Sequence, residues 1–435
     1  MNGRTSTRPT YPRRPAPPTR RAPKEAAVDS TRQEARGLAP SLFYLLIEFG
    51  RPQAWVPPLG LLKPGMIAAA WGLGAVIAKR ARPIPAPMWA MFGFVAVMAW
   101  NVPFAINNAW ALWGLQDFAI LIIGCVLPLV LLPGNLSALR FLLTAYVFLH
   151  IPTAIHGLLF KGVGLGGWMA DENDVALALN AALGVSFFLF MESTKKLTRW
   201  LLVATMVLFV CAIVATISRG GFVGLACLGL FLLVIGPRRG TILSLILLAG
   251  LSLFMFAPAA YWKEVASIET SDRRGDTGEQ RLYFWGLAWK MYLDHPITGV
   301  GTRNYGINSP LYEDEDRVKH GFHTWGRVCH SMYFTLLAEE GTAGLLIFLY
   351  LLRWCFAAQR RLRRDFLARP DDPERKSLML LGTGLAAGMV GFLVSGTFLT
   401  VLYYPVFWVL VGLFAALDGV ANETRVAAVA TGARR

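Results

Sequence analysis

The run WLLVATMVLFVCAIVATI (residues 200–217) contains no charged side chain. After Ser218-Arg219-Gly220 the chain enters a second apolar run, GFVGLACLGLFLLVIGP (residues 221–237). A bilayer core needs about 20 apolar residues at about 1.5 Å rise each. Each run therefore reads as a transmembrane helix, and the short polar piece between them as a turn at the membrane face. The same reading, carried outward, predicts spans near 41–58, 59–78, 88–107, 115–132, 141–160, 174–191, 200–217, 221–237, 241–260, 331–352, 377–397 and 400–418. Arg51, Pro52, Pro57 and Pro58 interrupt the first. Composition agrees: 55% of residues are hydrophobic, 16% are charged and mean hydropathy is +0.48, whereas a soluble protein carries about 25% charged residues. An ordinary soluble enzyme and a disordered chain are excluded. The expected fold is an all-α polytopic membrane protein with about 12 transmembrane helices.

The formal net charge of +15 would suggest nucleic-acid binding in a soluble protein. Here it follows topology. With the N-terminus placed in the cytoplasm, the cytoplasmic segments hold 29 of the 42 Lys and Arg, as the positive-inside rule requires. No nucleic-acid partner is expected. Residues 1–40 carry nine Lys/Arg and many Pro, which predicts a disordered basic tail without the apolar region of a signal peptide. The remaining divisions are helices 1–9 over 41–260, an external loop over 261–330, helices 10–12 over 331–418 and a cytoplasmic C-tail over 419–435. Cys125, Cys211 and Cys227 lie inside apolar runs, and no CxxC motif indicates a redox or zinc site.

The loop 261–330 breaks the pattern of short external connections. It has nine Lys/Arg and ten Asp/Glu, and its Trp, Tyr and Gly fall in motif-like order, so it should be folded. Charges in or beside a membrane are costly and mark candidate sites. Arg219, in Ser218-Arg219-Gly220-Gly221, offers a planar fork of donors suited to phosphate beside a helix N-terminus. A snorkelling interfacial arginine is the plainer alternative. Arg281 and Trp285 lie one turn apart on a stretch with an amphipathic, aromatic face, where Trp285 would pack on a sugar or simply on lipid. Asp294-His295-Pro296…Gly299-Val300-Gly301 makes a tight turn leading to Asn304-Tyr305. His330-Ser331-Met332-Tyr333 stands at the mouth of the next span, followed by Glu339-Glu340-Gly341. Imidazole titrates near neutrality and can accept a hydroxyl proton.

Glu313-Asp314-Glu315-Asp316 precedes His320, His323 and His330. Consecutive carboxylates share no helix face, so a solvated acidic turn is expected rather than a metal site. Asp171-Glu172-Asn173-Asp174 precedes span six. It would cap that helix or, through Asp174, contact sugar hydroxyls.

Taken together, Ser218-Arg219-Gly220-Gly221, Arg281…Trp285…Gly299-Val300-Gly301…Asn304-Tyr305 and His330-Ser331…Tyr333…Glu340-Gly341…Gly344 resemble the O-antigen ligase/polymerase superfamily. Arg51-Pro52-Gln53 and the stretch from Asp171 to Leu179 are similar to its O-glycosylation-ligase branch found with exosortase systems, although that branch has Asn where Glu172 stands here. The resemblance covers residues 41–418. It implies a GT-C-like glycosyltransferase of the bacterial inner membrane, with its active site facing the periplasm and both termini cytoplasmic. Such an enzyme moves a glycan from undecaprenyl diphosphate to an acceptor hydroxyl, inverting and without metal or cofactor. The acceptor is a lipid A core oligosaccharide first, or another glycolipid, a glycan repeat (a polymerase) or a protein. By the same resemblance Arg219 and Arg281 hold the diphosphate and His330 is the base. Trp285, Asn304, Tyr305, Tyr333 and Asp174 are expected to contact diphosphate or glycan. A transporter of polyprenyl-linked glycan is the non-enzymatic alternative. It shares the basic cavity and membrane-lipid setting but needs no histidine base, and no internal repeat of the kind common in transporters is evident.

Overall fold

The computed structural model describes residues 37–79, 82–236, 239–240, 243 and 277–432. The tail 1–36, the span expected at 241–260 (Leu243 aside) and residues 261–276 of the external loop lie outside the described residues, as do the last three residues of the C-tail. Twelve main helices follow in chain order. They are α1 (Ala39–Leu45, continued as a π-helical stretch Leu46–Gly50), α2 (Pro64–Ala78), α3 (Ala86–Asn101), α4 (Asn108–Leu131), α5 (Leu136–Leu159) and α6 (Glu172–Glu192). Then come α7 (Lys196–Ala215), α8 (Arg219–Ile235), α9 (Thr277–Asp294), α10 (Met332–Ala368), α11 (Pro373–Gly396) and α12 (Pro405–Gly432). No β-strand forms among the described residues. Eight helices are long and apolar enough to cross a bilayer: α3 (extended by a 3₁₀ turn to Phe104), α4, α5, α6, α7, α10, α11 and α12. The shorter apolar helices α1, α2 and α8 occupy three further expected spans. The protein is an all-α polytopic membrane protein.

Three elements depart most from their expected bounds, the first, the tenth and the twelfth; the last, read as 400–418, is a helix over Pro405–Gly432. The first span, read as 41–58, is a helix only to Gly50. Arg51 takes a left-handed conformation (φ 51°), and two short turns, Pro52–Trp55 and Pro58–Leu61, lead to α2. Pro52 lacks the N–H that would continue the helix, and its ring clashes with the preceding turn. The tenth span, read as 331–352, continues as one helix to Ala368. Its added turns carry Arg353, Arg360, Arg361, Arg363 and Arg364, which are tolerated because that end lies beyond the apolar layer.

The core is built around α6. Nearly nine-tenths (89%) of its apolar window is buried, against 28% for α7, so α6 is central and α7 peripheral. The α6–α11 pairing is very close. A Cβ on Gly184 would lie 2.5 Å from the Gly388 backbone nitrogen, so only glycine allows this backbone contact, the usual way membrane helices gain packing without a hydrophobic drive. Opposite ends of the bundle carry different chemistry. At one end Arg140 pairs with Glu192 (2.5 Å), which also accepts from Ser377 (2.8 Å). At the same end Arg361 pairs with Asp418 (3.2 Å), Arg82 with Glu423 (2.5 Å) and Arg425 with Asp365. This is the end assigned by charge to the cytoplasm. The candidate site lies at the other.

Candidate functional site

Two helix N-termini meet where α6 and α8 begin. Ser218 caps α8: its hydroxyl accepts from the Gly221 N–H (3.0 Å) and donates to Asn173 Oδ1 (2.6 Å). Asp171 caps α6 by accepting from the Asn173 N–H (2.8 Å). One hydroxyl thus ties the Asp171–Asp174 segment to the Ser218–Gly221 junction, and Arg219 becomes the first residue of α8. Both N-terminal dipoles point toward the same external surface. Asp174 is buried in the first turn of α6 and accepts from the Tyr404 hydroxyl (3.4 Å). A Cβ on Gly220 would lie 3.3 Å from the Phe398 ring, so the segment 397–404 leans on this junction.

The described part of the external loop is folded. In α9, Phe284, Leu287, Ala288 and Met291 face inward and, with Val300, Tyr305, Cys329 and Ala338, form a small second core. Leu282, Trp289 and Leu293 face outward. Trp285 stacks on Phe334 (ring centroids 5.3 Å apart, 15° between planes), lies 6.4 Å from the Phe398 ring, and donates its indole N–H to the His330 carbonyl (3.3 Å). Arg281 lies one turn earlier on α9 and is half-buried.

His330 has φ 53°, a left-handed conformation uncommon for a histidine. The surroundings hold it there. Its N–H donates to Thr400 Oγ1 (2.8 Å), its carbonyl accepts from Trp285, and Ser331 caps α10 directly after it. Partial burial is the main cause holding the imidazole below its usual pKa. The neighbouring Arg281 adds to this, Asp171 opposes it, and Arg327 lowers it further. At neutral pH the ring is uncharged and able to accept a proton. Asp171, from the α6 cap, and Arg281, from α9, thus both act electrostatically on the same ring.

Behind His330, α10 is broken at Gly341 (φ 60°, ψ −158°). The turn 296–301 fills the break. Val300 and Gly301 N–H donate to the Ala338 and Glu339 carbonyls (2.8 and 3.0 Å), while Thr342 and Ala343 N–H donate to the Pro296 and Ile297 carbonyls (2.8 and 2.9 Å). Four backbone groups beside the kink thereby recover partners, as membrane depth requires. Gly299 (φ 74°) and Gly341 face each other so closely that a Cβ on Gly341 would lie 2.7 Å from the Gly299 nitrogen. Glu339 and Glu340, just before the break, are buried. Glu339 accepts from the Arg303 N–H (2.9 Å), the Tyr305 N–H (3.0 Å) and the Tyr403 hydroxyl (2.7 Å). Glu340 lies 2.6 Å from the same Tyr403 oxygen and accepts from Thr302 Oγ1 (2.8 Å). A hydroxyl has one proton, and Glu339 already faces two backbone donors. The second contact is a hydrogen bond only if Glu340 is itself the protonated, donating partner.

The structure gathers Arg219, Arg281, His330, Trp285 and Asp174 around the segment 397–404. The polar atoms of the other three expected residues are bonded within the fold, although Tyr305 also lines the neighbouring cavity. Asn304 is wholly buried and staples the turn to the α3–α4 connection: its Oδ1 accepts from the Asn107 N–H (2.9 Å) and its amide donates to the Asn107 and Thr302 carbonyls (3.2 and 3.0 Å). Tyr305 donates to the Phe284 carbonyl (2.9 Å), and Tyr333 to the Leu393 carbonyl on α11 (2.9 Å). Asp171, Arg327, Glu339, Phe398, Thr400 and Tyr403 were not on the sequence-derived list. Two acids inside an apolar run were the available signal for Glu339. Nothing in the sequence marks 397–404. The acidic run 313–316 is engaged within the loop: Glu313 accepts from the Thr324 hydroxyl (2.5 Å), Asp314 pairs with Lys290 (3.1 Å) and Glu315 lies 3.6 Å from Lys319.

Beside the site lies a partly open cavity of about 570 Å³. Arg327, Val328, Cys329 and Thr400 form the wall nearest His330, and Tyr404 the wall nearest Asp174. No curated protein matches the chain. The family model of O-antigen ligases matches residues 204–349, which include Arg219, Arg281, Trp285, His330 and the Gly341 break. That domain, set in a polytopic helical membrane fold, is similar to the O-antigen ligases and supports the resemblance to the O-antigen ligase/polymerase superfamily.

Proposed function

We propose that the protein is a glycan ligase that moves a glycan from undecaprenyl diphosphate to an acceptor hydroxyl at the periplasmic face of the inner membrane. The observation that carries this reading is His330, pinned through its backbone by Thr400 and Trp285 and half-buried beside Arg281, with Asp171 of the α6 cap acting on the same ring. In the reaction the acceptor oxygen attacks the anomeric carbon. The bond from that carbon to the diphosphate oxygen breaks, with its electron pair leaving on the lipid diphosphate. His330 takes the acceptor proton, and backside attack inverts the anomeric centre. Negative charge grows on the leaving diphosphate, where Arg219, Arg281 and the α8 N-terminus supply donors already in place. Asp171 stabilises the imidazolium that forms. The polyprenyl chain runs between helices into the bilayer.

The test is transfer by the purified full-length protein from a glycosyl undecaprenyl diphosphate to lipid A core, with chelator present throughout. His330→Ala is expected to lower turnover about 10²–10⁴-fold with unchanged thermal stability. Full activity in that variant removes His330 as base, and loss of wild-type activity in chelator removes the metal-free mechanism.

A further inference from the structure

The cavity extends well beyond the reacting groups. Its inner end is lined by residues outside the matched domain: Tyr44 and Glu48 from α1 and Gly65 from α2, the first hairpin, with Cys125 from α4. Glu48 accepts the Trp168 indole N–H at 2.5 Å. That bond fixes Trp168 as a wall whose ring lies 5.4 Å from Tyr404, itself bonded to Asp174. The Arg51 guanidinium packs against Gly167, directly before Trp168. The Tyr44 hydroxyl is buried and makes no hydrogen bond among the described residues. Trp110, Trp168, Tyr403 and Tyr404 present aromatic surface, Glu48 presents a carboxyl group, and the Arg303–Asp117 pair (3.0 Å) presents charge of both signs.

We infer that this cavity is the acceptor subsite, that it takes a saccharide, and that Glu48 and Tyr44 read hydroxyls of the ring seated at its inner end. This rests on the ligase reading above. Aromatic faces cover the C–H face of a sugar ring, whereas carboxylates accept its hydroxyls and arginines donate to them. A lipid chain gains nothing from those charges. The volume falls in the range of about 300–1,000 Å³ that encloses a small ligand. The orientation is productive: a saccharide reaching from Glu48 to the Cys329–Thr400 wall ends beside the His330 segment. A hydroxyl on its outer ring would then be the nucleophile. The first hairpin, broken at Arg51 and Pro52, brings Glu48 to this depth and so contributes to acceptor choice.

The experiment uses the full-length protein in nanodiscs and reads the tryptophans of the cavity. The probe is core oligosaccharide released from lipopolysaccharide by mild acid, titrated by intrinsic fluorescence without donor. A threonine-containing peptide is titrated in parallel. The oligosaccharide is expected to change the signal saturably. Glu48→Gln, which keeps an acceptor for Trp168, and Tyr44→Phe should each weaken binding about five- to a hundredfold, the scale of one lost hydrogen bond. Each should raise the acceptor KM alike while leaving the donor KM unchanged. If Glu48→Gln fails to fold, Tyr44→Phe carries the test. Unchanged affinity and acceptor KM in the variants, no oligosaccharide binding, or tighter binding of the peptide overturns the assignment. Variant-sensitive binding without detectable transfer keeps the subsite and sinks the ligase reading. Transfer with variant-insensitive acceptor KM does the reverse.

Discussion

Around Glu339 and Glu340, hydrogen bonds close inward: Arg303, Tyr305, Thr302 and Tyr403 all donate to or share a proton with the two carboxyl groups. Around His330, on the same helix entrance, the hydrogen bonds among the described residues are backbone ones, to Thr400 and Trp285, and the half-buried ring lies by Phe284 with Asp171 and Arg281 acting on it. The first cluster holds the turn 296–305 against the break in α10. The second keeps its imidazole available. The difference is one of hydrogen-bond accounting. A satisfied buried group stabilises geometry, and a titratable group at a cavity edge can do chemistry.

The comparison breaks most visibly at the cations. Arg281→Ala and Arg219→Ala are each expected to lower turnover about 10²–10³-fold, as for loss of one preorganised donor, with membrane insertion and melting temperature unchanged. Transfer assays on nanodisc protein decide this; full activity in both variants leaves the diphosphate without its proposed clamp. Next in size is an asymmetry inside the closed cluster. Glu339→Gln turns an acceptor into a donor facing backbone N–H groups and should cost about 1–3 kcal/mol, seen as a lower melting temperature. Glu340→Gln copies the neutral acid and should melt within about 0.5 kcal/mol of wild type. Equal effects would disprove the proton placement.

A subtler comparison uses pH. Because burial and nearby cations hold the His330 pKa below its usual value, activity should be lost only as pH falls below that value. Arg327→Gln removes a cation, raises the pKa and moves this acid limb to higher pH. Asp171→Asn keeps the helix cap, removes an anion and moves it to lower pH. Profiles of kcat/KM that move together, or not at all, exclude His330 as the group titrating. The smallest effect is expected from deleting residues 1–36, assigned to topology alone: turnover should be unchanged once insertion is verified.

Much of this was legible in one dimension. The spans could be read because a bilayer sets the length and apolarity of any crossing helix, so α3–α7 and α10–α12 appear as runs before any contact is known. Arg219, Arg281 and His330 stood out because charge beside a membrane is costly. Asn304, Tyr305 and Tyr333 sit in the same motifs, yet their polar atoms are bonded to the Asn107, Phe284 and Leu393 segments. Residue type and spacing cannot separate a strut from a ligand contact.

The linear chain, then, determined the helical membrane fold and singled out three leading candidates for chemistry, since each depends on local composition against a solvent of known thickness. Only the tertiary structure decided which polar groups are satisfied. The Gly341 break is stable because a turn 40 residues earlier supplies its missing hydrogen bonds. The His330 pKa is lowered because the ring is partly buried, with Arg281 and Arg327 beside it, and Glu48 borders the site because α1 stops at Arg51. Each is a relation between distant segments, fixed by packing that no local pattern encodes.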